Sequence, residues 1–156
     1  MVKAVYILRS NPVDPDPRVE KIAKTLTEHY PVKILAWSRD KDREPGSVGT
    51  AGITYFNRLA PYGSGIRNLW NLLGWQAWLL RLLWNERRHI IAIHACDFDT
   101  FLPAFFLTLI TRTPIVYDIF DYYAAHIRNT PKPIKALISS LERFLLKFAD
   151  KVILPD

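Results

Sequence analysis

Two short apolar runs, at residues 90–93 and 114–117, constrain the fold more than any other feature of this 156-residue chain. The first contains three isoleucines and the second an isoleucine and a valine, and residues 101–110 between them carry no charge. Continuous apolar runs of this length are typical of strands that are buried on both faces, as in a parallel sheet. A strand, a helix and a second strand in that order form a right-handed crossover, so both runs are expected to end at the same edge of one sheet.

Polar side chains follow each run at the point where the predicted strand ends. They are His94, Asp97, Asp99 and Thr100 after the first run, and Asp118 and Asp121 after the second. Ligands of open α/β sheets bind at the carboxyl ends of the strands. We therefore expect the functional site at this edge, and we also expect Asp99 to cap the helix that follows the first strand.

The remaining apolar segments extend the same architecture. Further strands are predicted at residues 2–8, 32–37, 53–59 and 152–154, an exposed loop at 39–52, and helices that begin after Asp16, at 66–84 and at 134–149. Hydrophobic residues make up 49% and charged residues 23%, which is the composition of a globular chain, and the length fits one domain. The predicted fold class is α/β, a Rossmann-like open parallel sheet with helices on both faces.

Missing motifs exclude several binding chemistries. Neither a GxGxxG fingerprint nor a GxxxxGK[ST] loop follows the first strand, so we expect no nicotinamide or nucleoside triphosphate site and no cofactor. Cys96 is the only cysteine, and no second Cys/His pair accompanies it and His94, so we predict neither a disulfide nor a metal site. Such a chain is typical of the reducing cytoplasm. The net charge of +6 favours an anionic partner, but no recognition-helix motif or long basic run indicates nucleic acid.

The groups at the predicted strand ends suit a hydroxyl-rich ligand, because one carboxylate can accept several hydroxyl protons. Asp97 and Asp99 could equally be helix caps, and His94 could equally be a hydrogen-bonded core histidine. Arg18 could bind an anion or lie in solvent. The full set of candidates is Ser10, Asn11, Asp14, Arg18, His94, Asp97, Asp99 and Asp121.

The segment at residues 66–84 is apolar around more of its circumference than a surface helix needs. Its leucines share one face, so we expect Trp75 and Trp78 to project from the other, beside Arg67 and Arg81. Neighbouring loops or a further domain would cover these tryptophans. The alternative is an interfacial helix on an anionic membrane, with tryptophan and arginine at headgroup depth. No apolar stretch reaches the length of about 18 residues that predicts a spanning helix.

Four segments of the chain read, in order, DPDPRVEKIAKTL, IHACDFDTFLPA, PIVYDIFD and LERFLLKFADKVILPD. Together they resemble the N-terminal half of the family 4 retaining glycosyltransferases, which have the two-domain GT-B architecture. The resemblance implies that residues 1–156 form a single acceptor-binding domain. It also implies that a C-terminal domain, absent from this chain, binds the nucleotide-sugar donor, and that transfer needs no obligatory metal. Without that domain we expect no transfer.

Taken with the single cysteine and the segment at residues 66–84, the resemblance leads us to expect a cytoplasmic, membrane-peripheral glycosyltransferase whose acceptor is a saccharide or a lipid-linked sugar. The acceptor hydroxyls are expected at His94, Asp97 and Asp121, with Arg18 and the first loop lining the cleft. Two departures leave the catalytic residues unassigned: the first loop is proline-rich where many relatives have glycine, and Phe120 stands where relatives commonly have a histidine near the reacting sugar. The competing hypothesis is a non-catalytic binding subunit that recruits a separate catalytic chain to the membrane.

Overall fold

A mostly parallel β-sheet carries the fold in the computed structural model, which describes residues 2–60, 68–120 and 131–154. The strands are β1 (Ala4–Arg9), β2 (Val32–Ser38), β3 (Gly46–Val48), β4 (Ala51–Asn57), β5 (Ile90–Cys96), β6 (Ile115–Asp118) and β7 (Lys151–Ile153). The helices are α1 (Pro17–Thr27), α2 (Leu69–Glu86), α3 (Phe98–Thr111) and α4 (Lys132–Leu145), and a 3₁₀ turn at Leu146–Phe148 follows α4. Within these described residues the sheet has seven strands in the order β3-β4-β2-β1-β5-β6-β7.

The predicted Rossmann-like α/β fold is confirmed. Among the described strands every pair is parallel except β3 with β4, which form a hairpin around Gly49 at φ 59°. The short edge strand β3 lies in the segment that was expected to be only a loop. Helix α1 packs on one face of the sheet, while α2, α3 and α4 pack on the other, so helices cover both faces as predicted.

Helix α1 begins as its sequence predicts. Asp16 is the N-cap residue, and its side chain accepts a hydrogen bond from the Val19 backbone N–H at 3.3 Å. Pro17 occupies the first turn, where its missing N–H donor does no harm.

The prediction that Asp99 caps helix α3 is wrong. The helix begins at Phe98, and Asp97 holds the N-cap position with a φ of 69°. The Asp97 carboxylate makes no capping bond to the helix; it accepts hydrogen bonds from Arg9 and from the Phe120 backbone N–H instead. Asp99 lies within the first turn and is buried.

The prediction that Trp75 and Trp78 project outward from α2 is also wrong. Trp75 is 0% exposed, and its ring stacks on those of Trp37 and Trp78 at centroid distances of 5.7 and 5.4 Å. Trp78 is partly buried against Phe56, 5.5 Å between centroids. The sheet presents aromatic side chains at this position, so α2 turns its tryptophans inward and leaves part of its leucine face exposed.

The exposed leucines of α2 include Leu69, Leu73 and Leu80, which were expected to face the sheet. Arg81 is exposed, and Arg67 lies outside the described residues. None of the helices in the described ranges is long and apolar enough to cross a bilayer.

Candidate functional site

The carboxyl edge of the sheet gathers three arginines and four aspartates. They come from the ends of neighbouring strands, the loops that follow them and the first turns of α1 and α3, because parallel strands all end at this edge. The arginines are Arg9, Arg18 and Arg39, and the aspartates are Asp16, Asp97, Asp99 and Asp118. We call these seven side chains, with His94 and Phe120, the edge network.

Arg9, the last residue of β1, links the first loop to the start of α3. Its Nε donates to Asp16 Oδ2 at 2.9 Å, and its Nη1 donates to Asp97 Oδ2 at 2.5 Å. Burial alone would lower the pKa of the Arg9 guanidinium, but the charges of Asp97 and Asp16 outweigh burial and raise that pKa above its ordinary value. Arg9 is therefore a permanent cation that holds two loops together.

Asp118, the last residue of β6, is completely buried between two partners. Arg18 donates to its Oδ1, and His94 Nε2 lies 3.0 Å from its Oδ2. The Arg18 and Arg9 guanidiniums both lie over the Phe120 ring, at 4.3 and 4.0 Å from its centroid. Phe120 thus forms the apolar centre of the network, with a cation stacked on it from each arginine.

Asp99 is a buried acid of the network whose pKa is raised. Burial raises its pKa from 3.8 to about 6, although the Arg39 charge and the Ser10 hydroxyl oppose the rise. Its Oδ2 lies 3.7 Å from Arg39 Nη2, and its Oδ1 has no hydrogen-bond partner among the described residues. Arg39 also donates through Nε to the Ser10 carbonyl at 2.7 Å and stacks over Trp37 at 3.9 Å.

The structure brings together some of the predicted site residues. Arg18, His94 and Asp97 belong to the edge network, and Ser10 joins it through its backbone carbonyl. Asn11 is half-buried in the first loop beside them. Asp121 lies outside the described residues.

Asp14 is exposed and lines a different cleft of about 280 Å³, together with Arg43 and Tyr55. A larger cleft of about 710 Å³ lies at the opposite, amino edge of the sheet and includes Val2, Tyr30 and Lys33 in its lining. It gathers no cluster of buried charged groups, so we assign the chemistry to the carboxyl edge despite the larger volume elsewhere.

Sequence reasoning did not assign Arg9, Asp16, Arg39 or Phe120 to the site, and it placed Asp118 at this edge without making it a candidate contact. A signal was present, because Arg9 and Asp118 are charged residues at the very ends of buried strands and Arg39 directly follows one. A charged residue at the carboxyl end of a buried strand lies at the carboxyl edge of the sheet, and this holds without knowledge of its partner.

One group of side chains in the described residues has the spacing of metal ligands. His94, Cys96 and Asp118 each offer one ligand atom within 4.8 Å of the others, and all three are buried. Both Asp118 oxygens already have partners, and burial raises the pKa of the Cys96 thiol well above its ordinary value. Asp118 is already paired with the Arg18 cation, and the raised pKa keeps the Cys96 thiol protonated, so the set fits an internal hydrogen-bond network better than a metal centre.

Comparison with known families identifies the domain type. A family model described as "Glycosyl transferase 4-like domain" matches residues 15–156, which includes every member of the edge network except Arg9. No curated protein matches the chain.

Proposed function

Because this chain belongs to the family of glycosyl transferase 4-like domains, we propose that it supplies the acceptor side of a glycosyl transfer. In this proposal a sugar passes from a nucleotide-sugar to a saccharide or a lipid-linked acceptor that lies at the carboxyl edge. The observation that carries the proposal is the edge network, in which each arginine is engaged by carboxylates or by the backbone.

The charge balance favours a neutral, hydroxyl-rich ligand over a phosphate. Three arginines face four aspartates, so the network has no surplus of positive charge for the donor's diphosphate. The first loop also has no glycine that could offer a nest of backbone donors. Carboxylates that already accept one bond keep further lone pairs, which hydroxyl groups can use.

The exposure of the side chains supports an assignment of acceptor contacts within this proposal. Arg18 is 32% exposed and Asp97 15%, whereas Asp118 is 0% exposed. We therefore assign contact with acceptor hydroxyls to Asn11, Arg18 and Asp97, with Asp121 as the further predicted contact. His94 and Asp118 hold Arg18 in place from below.

In this proposal the domain contributes to transfer by positioning the acceptor and not by supplying a nucleophile of its own. Holding an acceptor hydroxyl in one orientation removes much of the entropic barrier to a reaction between two substrates. The fixed charges of Arg9 and Asp97 also provide an electrostatic environment that does not reorganise during transfer. The donor is bound elsewhere in this proposal, so the isolated chain binds acceptor but transfers no sugar.

Calorimetry with a panel of neutral oligosaccharides and a panel of nucleotide-sugars tests this division of labour. We expect weak, saturable binding of at least one saccharide. Asp97→Asn should lower the affinity about tenfold or more, because a charge-assisted hydrogen bond contributes roughly 1.5–3 kcal/mol. Asp42→Asn, an exposed aspartate outside the network, is the matched control and should bind normally. Tight, stoichiometric binding of a nucleotide-sugar by the chain alone would contradict the proposal.

The location proposed for the domain is the cytoplasmic surface of a membrane. A single buried cysteine suits a reducing compartment, and the basic net charge suits an anionic surface. A non-catalytic recruiting subunit would share both properties. Reconstitution with a separate donor-binding chain distinguishes the two, because a subunit without a catalytic role tolerates Asp97→Asn in the transfer assay.

A further inference from the structure

Two neighbouring helices leave a broad apolar surface uncovered among the described residues. Helices α2 and α3 pack together on the same face of the sheet, and Gln76 Nε2 of α2 donates to the Asp99 carbonyl of α3 at 2.5 Å. The outward side chains are large and hydrophobic. This surface, which we call the α2–α3 face, consists of Leu69, Trp70, Leu73, Leu80, Trp84, Phe106, Leu109 and Ile110.

The face follows from helical geometry. On α2 the buried residues Trp75, Leu79 and Leu83 recur every four positions, and Trp70, Leu73, Leu80 and Trp84 lie on the opposite side. Trp70 is 77% exposed and Ile110 on α3 is 68% exposed. Eight exposed hydrophobic side chains on two adjoining helices exceed the scattered apolar residues of an ordinary surface, and such patches mark a binding partner.

The charges around the face have one sign. Arg81, Arg88 and Arg112 are exposed on or beside the two helices, and Arg87 stacks over the Trp84 ring at 4.3 Å. In the described parts of α2 and α3 the acids point elsewhere: Glu86 accepts hydrogen bonds from Tyr6 and Lys33. Asp99 is buried at the sheet edge. The face is therefore apolar with a cationic border.

We propose that the α2–α3 face docks on an anionic lipid membrane. Tryptophan and arginine side by side match the interfacial layer, where aromatic rings sit at headgroup depth and guanidiniums meet lipid phosphates. Trp70 and Trp84 are 14 residues apart, about 21 Å along the axis, so α2 lies flat with one tryptophan anchoring each half. The binding is peripheral and reversible.

Charge complementarity selects the membrane over a second copy of the chain. In a symmetric dimer through this face, the arginine border of one copy would meet the arginines of the other, and like charges at an interface oppose association. A lipid surface with anionic headgroups meets both the apolar centre and the cationic border. The proposal refines the peripheral location proposed above, but it does not depend on the transfer reaction.

Vesicle sedimentation with the purified chain, without any sugar, tests the proposal. The probes are vesicles of phosphatidylcholine alone and of equimolar phosphatidylcholine and phosphatidylglycerol. We expect binding to the anionic vesicles in about 0.01 M salt and release in about 1 M salt, because the screening length falls from about 30 to about 3 Å. Vesicles of phosphatidylcholine alone should bind far less.

Paired variants separate the apolar and cationic contributions. Trp70→Ser/Trp84→Ser should weaken partitioning about tenfold or more, since binding scales with buried apolar area. Arg81→Gln/Arg88→Gln should weaken partitioning about twentyfold to thirtyfold, because each basic residue near the surface contributes about fivefold and the two factors multiply. The matched controls are Tyr30→Ser/Leu59→Ser and Lys21→Gln/Lys24→Gln, which remove exposed apolar area and the same charge elsewhere. The controls should bind as the wild type does.

Three results would overturn the proposal. The wild type could remain in the supernatant with anionic vesicles at low salt. The Trp70→Ser/Trp84→Ser variant could bind as the wild type does while its circular dichroism and melting temperature are unchanged. Finally, analytical ultracentrifugation could show a dimer that this variant abolishes without any binding to vesicles, which would assign the face to a second copy. Because no sugar enters the assay, saccharide binding can fail independently of this result.

Discussion

Replacing Asp99 by asparagine should change how the stability of the domain depends on pH. Asp99 is buried at the first turn of α3, and its Oδ1 has no hydrogen-bond partner in the described part of the chain. Burial raises its pKa to about 6 from the ordinary 3.8. Asparagine has nearly the same shape and no charge, so Asp99→Asn removes this titration with little change in packing.

The size and sign of the effect follow from proton linkage. Between about pH 4 and pH 6 the folded state binds more protons than the unfolded state, so the contribution of Asp99 to the free energy of unfolding falls as the pH rises. That contribution is fully present below pH 3.8 and is lost above about pH 6. A shift of about two pKa units corresponds to roughly 3 kcal/mol. Part of that contribution is already lost at pH 4, so the variant should gain roughly 2–3 kcal/mol relative to the wild type between pH 4 and pH 7.5.

Urea unfolding of both proteins at several pH values measures this difference. Taking the difference between variant and wild type cancels the other titrating groups, which the two proteins share. Asp42→Asn, which removes an exposed carboxylate outside the edge network, is the control. A difference between Asp99→Asn and wild type that stays constant from pH 4 to pH 7.5 would refute the argument that burial perturbs this carboxyl.

Three further perturbations probe the network and the core. Asp118→Asn should lower the free energy of unfolding by about 3 kcal/mol, which is near the lower end for a broken buried pair because Arg18 is 32% exposed. The melting temperature should then fall by roughly 6–12 °C. An unchanged melting temperature would contradict the buried pairing. Tyr117→Phe removes the hydroxyl that donates to Glu142 at 2.7 Å. The free energy of unfolding measured in urea should fall by about 1–3 kcal/mol. A change near zero would show that Glu142 finds another donor. Asp97→Ala should abolish saccharide binding in calorimetry while the domain remains folded at 25 °C; retained binding would remove Asp97 from the acceptor site.

The order of strands and helices could be predicted because buried parallel strands leave a simple pattern. The runs that became β1, β2, β5 and β6 are apolar along most of their length, since helices cover both faces of the sheet. The edge strand β3 left no such pattern. It has three residues, Gly-Ser-Val, and only Val48 is buried.

The orientation of α2 could not be predicted from its own residues. A helix that is apolar around its circumference offers several faces to the sheet, and counting leucines selected the wrong one. The face of α2 that packs on the sheet is determined by Trp37 on β2 and Phe56 on β4, which form an aromatic cluster with Trp75. Such pairs add about 0.5–1.5 kcal/mol each beyond burial, and nothing in the α2 sequence indicates what the sheet presents.

The gathering of polar groups at the carboxyl edge could be predicted, but their pairings could not. The rule that ligands meet the carboxyl ends of parallel strands pointed to residues after β5 and β6 that the structure does bring together at this edge. Arg9 and Asp97 are 88 positions apart in sequence, so only the packed sheet brings their charges to 2.5 Å. The same contact explains why Asp97 does not cap α3: its oxygens are engaged by Arg9 and by the Phe120 N–H.

The most direct test of the claim that the carboxyl edge binds the acceptor is backbone amide NMR. The isotope-labelled chain is titrated with a saccharide that binds in calorimetry. If the carboxyl edge binds the acceptor, shift changes should be largest at Asn11, Arg18 and Asp97 and absent around Val32 at the opposite edge. Titration of the Asp97→Ala variant should remove those changes without altering the rest of the spectrum. Saturable shifts confined to the cleft beside Asp14 and Tyr55, or to the amino edge, would contradict the account.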